Sequence, residues 1–169
     1  MLARVRNGYE KLLETIVIVL MAALAIEVTV GVVFRYVGHS LAWYDEIASI
    51  LLAWVTYYGA ALAALKRAHL GVPELVRALP PPLRLAAAVF AEACVIGFFA
   101  LMAWVGVAVL DVLSTDNLVS LPEVSVVYTQ SVIPITAVLF IIAELLVLPD
   151  VLREARGIKP AHVAADGLT

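Results

Sequence analysis

The residues that could do chemistry in this chain are carboxylates placed where carboxylates are unusual. Glu27 lies in the middle of a long apolar run, Glu92 lies inside another, and Glu14 and Glu144 stand near the ends of two. A charge inside an apolar segment of membrane length costs several kcal/mol unless it is paired or hydrated, roughly 2.5–3.5 on insertion scales. Glu27 therefore reads either as a proton- or cation-coupling site or as an internal hydrogen-bonded carboxyl that ties two helices together. The others lie near Lys66, Arg67 and Arg84, which offer interfacial pairing.

The densest group is Phe34-Arg35-Tyr36 followed by Leu41-Ala42-Trp43-Tyr44-Asp45-Glu46. Trp and Tyr favour the headgroup level. Arg35 is placed to pair with Asp45 or Glu46. The two acids also suit the first turn of a helix, where the dipole favours negative charge. Anchoring with capping is one reading of this group, and a docking surface for another protein is the other. Acid–base catalysis by the pair is excluded, because adjacent residues on a helix point about 100° apart.

No nucleophile elbow, zinc-protease motif or phosphate loop is present. His39, His69 and His162 fall in loops or the tail, so haem ligation within a bundle has no ligands. The single Cys94 excludes an intramolecular disulfide and a cysteine zinc site. No basic aromatic surface suggests nucleic acid. No cofactor, metal or catalytic residue is expected.

The elements that must position these residues follow from hydropathy. Of 169 residues, 64% are hydrophobic and 15% charged, with a mean hydropathy of +1.03. A soluble domain carries roughly 45–50% apolar and about 25% charged residues. Four runs, at 12–34, 47–65, 83–110 and 124–148, each approach the ~20 residues that cross ~30 Å of hydrocarbon. They lack strand alternation, so the expected fold is all-α, with four transmembrane helices in a membrane domain over 1–152. A basic start and Ala23-Leu24-Ala25 resemble a cleavable signal. The apolar run continues through Phe34, which favours an uncleaved anchor.

Orientation follows from the cations. Arg4, Arg6, Lys11, Lys66, Arg67, Arg77, Arg84, Arg153, Arg156 and Lys159 all fall on one side, leaving only Arg35 on the other. Both termini are therefore expected in the cytoplasm, in a bacterial inner membrane. Val72, Leu75, Val76 and Leu79 share one helical face, which predicts a short amphipathic helix over 72–79 on the cytoplasmic surface. Pro80-Pro81-Pro82 is expected to form an extended linker before the third helix. Pro134 predicts a kink near Gln130. The tail at 153–169 reads as polar and disordered. Trp43 and Trp54, eleven residues apart, fall near one face of helix two and are expected to meet a partner or lipid at two depths.

The order Arg35-Tyr36, Leu41, Trp43, Asp45-Glu46-Ile47-Ala48, Trp54, Tyr58-Gly59-Ala60-Ala61, Lys66-Arg67 with His69, and Leu79-Pro80 resembles the small membrane subunit (DctQ-like) of TRAP transporters. The resemblance runs from about Leu12 to Leu148 and includes the late Pro134. It departs at Gly71-Val72-Pro73-Glu74, where the family tends to show a Val-Asp pair. The resemblance implies a system of three parts. A periplasmic protein captures an organic acid. A large membrane subunit moves it with sodium. The small subunit packs on the large one as a scaffold and helps dock the binding protein. Arg35, Tyr36, Trp43, Asp45, Glu46, Trp54, Gly59 and His69 would then serve assembly, among membrane lipids. The alternative is a self-sufficient proton-coupled antiporter built on Glu27, as in the small multidrug resistance family, although the 66–82 connection is elaborate for that plan.

Overall fold

The computed structural model describes residues 2–39, 41–67 and 80–157. The expected amphipathic segment at 72–79, His69 and most of the tail lie outside these residues. Helix α1 spans Leu2–Tyr36, α2 spans Tyr44–Leu65 and α3 spans Pro81–Val112. A 3-10 turn at Leu113–Thr115 leads into a loop, a short α4 at Val126–Gln130 and a long α5 at Val132–Ala155. Four stretches, Arg4–Tyr36, Tyr44–Leu65, Pro81–Thr115 and Val126–Ala155, are long and apolar enough to cross a membrane.

The helices outrun the apolar runs that mark them. Helix α1 has 35 residues, about 52 Å at 1.5 Å per residue, against ~30 Å of hydrocarbon. Hydropathy registers the greasy part of a helix, while its backbone bonding continues into polar sequence. For the same reason α5 runs to Ala155, into the region read from sequence as tail.

The helix ends have local causes. Gly38 takes φ +84° after α1. The His39 N–H donates to the Phe34 carbonyl at 3.0 Å and the Gly38 N–H to the Arg35 carbonyl at 3.2 Å. That is a Schellman closure, and its left-handed position suits glycine. The proline run differs from expectation. Pro80 is extended (φ −55°, ψ 147°), but Pro81 and Pro82 form the first helical residues of α3. Proline fits there because a first-turn position needs no N–H for the intrahelical bonding. Pro134 removes the donor that the Gln130 carbonyl would receive, and the helix is broken between α4 and α5 at Ser131.

Packing makes an open row. Helix α1 lies on α2, α2 on α5, and α5 on α3. In the most apolar stretch of each span, 44% is buried for α5, against 6% for α1 and α3 and 11% for α2. Helix α5 is thus the hub, and α1 and α3 are edges. The core gathers Leu13, Ala61, Ala64, Leu65, Phe140, Ala143 and Val147. Phe99 stacks on Phe140 with centroids 3.7 Å apart. Two close approaches use glycine. A Cβ on Gly106 would sit 3.1 Å from the Pro134 ring, and one on Gly31 would sit 2.0 Å from the Tyr44 ring. Small residues at such points let helix backbones come together in lipid.

Candidate functional site

At the end of the molecule that carries the α3–α4 loop, Glu46 organises its surroundings. It stands in the first turn of α2. Its carboxylate accepts from the Val119 N–H at 3.1 Å, from the Ser120 N–H at 2.8 Å and from the Ser120 hydroxyl. The loop it holds is closed by its own backbone. The Leu118 N–H donates to the Val124 carbonyl at 2.9 Å and the Val126 N–H to the Asp116 carbonyl at 3.0 Å. Leu118 is buried beneath it, and Ser125 caps α4 by accepting from the Val127 N–H at 3.3 Å.

Arg35 forms no ion pair with Asp45 or Glu46 among the described residues. Directional loop donors hold Glu46 instead, and a charge-assisted bond to backbone amides outcompetes an exposed arginine. Arg35, Tyr36, Trp43 and Asp45 are all exposed, Tyr36 at 93%. Val119, presented by the clamped loop, is 92% exposed. This end is therefore a rim of exposed aromatic, cationic, acidic and apolar groups on a fixed base.

Trp54 turns into the chain. Its indole N–H donates to the Thr129 carbonyl at 2.9 Å, tying α2 to the end of α4. The bond is internal because an indole N–H in an apolar setting needs an acceptor, while the Trp54 ring stays partly exposed. Gly59 faces open space: a Cβ there meets nothing within 4 Å. Both Glu27 carboxyl oxygens are shielded from solvent and have no hydrogen-bond partner among the described residues, with Asp45 the acid that acts on it electrostatically.

The opposite end is held by ions. Arg6 donates to Asp150 at 3.0 Å and to the Leu65 carbonyl at 3.4 Å, joining α1, α2 and α5. Lys66 pairs with Glu14 and, at 3.5 Å, with Glu10. The hydrogen bond that Lys66 donates to the Glu14 carboxylate holds its ammonium above the usual lysine range. Arg67 bonds Glu154 at 2.9 Å. Glu92 and Glu144, placed by sequence near the cations, are close enough across α3 and α5 to act on each other electrostatically, with Arg67 acting on both. The Tyr9 hydroxyl donates to the Leu139 carbonyl at 2.6 Å.

Sequence reasoning missed Gly31, Ser120, Gly106 and the Arg6–Asp150 pair. A helical glycine leaves no signature of what lies against it, and a pair 144 residues apart needs the fold to reveal it. No group of three or more His, Cys, Asp or Glu suited to a metal occurs among the described residues. Beside Gly106 an apolar groove of about 180 Å³ opens between α3 and α5, with Gln130 as its polar lining residue.

Membrane-length helices frame this geometry, and comparison with known proteins gives the chain a family. The family described as the DctQ component of tripartite ATP-independent periplasmic transporters matches residues 24–154. A protein of Haemophilus influenzae that carries the name TRAP transporter small permease protein is 34% identical over 82 residues. That match covers 48% of this chain and 51% of the relative, so the chain spans about half the length of that curated relative. With more than half of its length matched by the family, this multi-pass membrane chain belongs to the DctQ component family of TRAP transporters.

Proposed function

We propose that the chain is the non-catalytic small membrane subunit of a TRAP-type secondary transporter that imports an organic acid with sodium. It packs on the large membrane subunit and helps dock the periplasmic substrate-binding protein. The observation that carries this reading is the open row of helices. Helices α1 and α3 are edges in which few residues of the most apolar stretch are fully buried within the chain. A row of this kind offers a broad face to a second membrane protein, where close packing rather than the hydrophobic effect drives association.

The cation distribution supports an orientation with both termini in the cytoplasm of a bacterial inner membrane. The rim at the α3–α4 loop then faces the periplasm. Its exposed Arg35, Tyr36, Trp43 and Asp45 are the residues that meet the binding protein, while Glu46 keeps the loop in place. Gly59 and Trp54 serve assembly, the first by an open surface and the second by fixing α2 to α4. The membrane lipids cover what the partner does not.

Co-expression with a large TRAP membrane subunit tests the reading. The two are expected to purify together in mild detergent in a fixed ratio. Purification of the chain alone, with the large subunit folded and present in the same membranes, would contradict it. Asp45→Lys is expected to weaken uptake by the assembled system without loosening the membrane complex, because Asp45 has no ion pair within the chain among the described residues.

A further inference from the structure

Gln130 is an exposed amide at a depth where amides need a partner. Helix α2 has 22 residues, about 33 Å, which matches the hydrocarbon thickness. Trp54 lies midway along it, and its indole bonds the Thr129 carbonyl. Thr129 and the next residue, Gln130, therefore lie below the headgroups on the loop side. Gly106, six residues before the end of α3, marks a similar depth for Pro134, one turn on from Gln130.

Two polar groups of Gln130 want partners there. Its side chain is exposed and forms no hydrogen bond among the described residues. Its carbonyl faces Pro134, which has no N–H to give. Hydrocarbon chains can fill the adjacent groove, but they cannot bond an amide, and unmet polar groups in lipid cost several kcal/mol on transfer scales. The groove beside Gln130 is lined by Met102, Val105, Gly106, Val109 and Ile133, and Gly106 lets a neighbour approach closely.

We infer that the groove between α3 and α5 seats a transmembrane helix of the large subunit, and that this helix carries a polar side chain that bonds Gln130. The identity of the partner rests on the proposed function. The preference for a helix over a lipid tail rests on the amide. Interhelical bonds of this kind are worth roughly 0.6–1.7 kcal/mol in membranes. Gln130→Leu is therefore expected to lower the large subunit retained in detergent by roughly 3- to 15-fold, the same figure converted at 1.4 kcal/mol per tenfold. The isolated chain should melt as before, since the amide makes no bond within it.

A photo-crosslinking residue at position 130 or 102 in the co-expressed complex gives the direct readout. Crosslinks to the large subunit from both positions, and none from Thr15 on α1, are expected. Crosslinks only to lipid or to a second copy of the chain, in a complex that otherwise assembles, would overturn this inference and leave the proposed function standing. If the wild-type chains form no complex at all, both fall.

Discussion

The side chains that matter most at the loop end do two different jobs, although they stand side by side. Asp45 and Glu46 both read from sequence as first-turn carboxylates. Only Glu46 receives loop amides, at 2.8 and 3.1 Å. Glu46→Gln should therefore speed amide exchange at Val119 and Ser120, and Asp45→Asn should leave both rates as they are. Equal rates in all three proteins would show that the loop holds itself. Gly31 and Gly59 make a second contrast. A methyl at Gly31 would lie 2.0 Å from the Tyr44 ring, whereas Gly59 faces open space. Gly31→Ala should lower stability in detergent by about 1–3 kcal/mol, the usual cost of overpacking. Gly59→Ala should leave stability unchanged or raise it by up to about 1 kcal/mol, because alanine is the better helix former. Trp54→Phe removes one hydrogen bond, and thermal unfolding should register a loss of about 0.5–1.5 kcal/mol. The sequence makes Trp54 and Glu46 stand out as residues, because indoles and carboxylates are rare in such runs. Their partners, Thr129 and Ser120, are ordinary residues more than seventy positions away, and only the fold brings them together.

At the scale of elements, the four crossings are legible because a lipid solvent demands long apolar helices and leaves a strong composition signal. Helix ends are less legible, because caps depend on one or two residues. Gly38 and the break before Pro134 follow simple backbone rules, whereas Pro81 and Pro82 read as linker and begin a helix. Arg67 is the unusual cap. It closes α2 at φ 53°, where glycine is the common choice, and its guanidinium bonds Glu154. A left-handed non-glycine residue costs about 1–2 kcal/mol, while a half-exposed ion pair contributes about 0–1 kcal/mol. Both Arg67→Gly and Arg67→Ala lose the pair, and only the glycine relieves the backbone. The glycine variant should melt above the alanine variant by the equivalent of about 1 kcal/mol. The reverse order would mean that the αL conformation carries no strain there.

For the whole molecule, the order of helices in space was not legible. Every run is apolar on most of its surface, so periodicity does not say which face meets which neighbour. The row α1–α2–α5–α3 emerges from contacts such as Gly31 with Tyr44 and Gly106 with Pro134. A row differs in consequence from a closed bundle. A closed bundle keeps a protected interior in which a substrate can sit, while a row spends its helices on external faces. That shape fits the proposed role of a part completed by another protein. The most direct measurement is uptake of labelled organic acids into liposomes driven by a sodium gradient. The chain alone should accumulate nothing, and the chain with its large subunit and binding protein should accumulate substrate. Uptake by the chain alone, or full uptake when the chain is left out, would contradict the account.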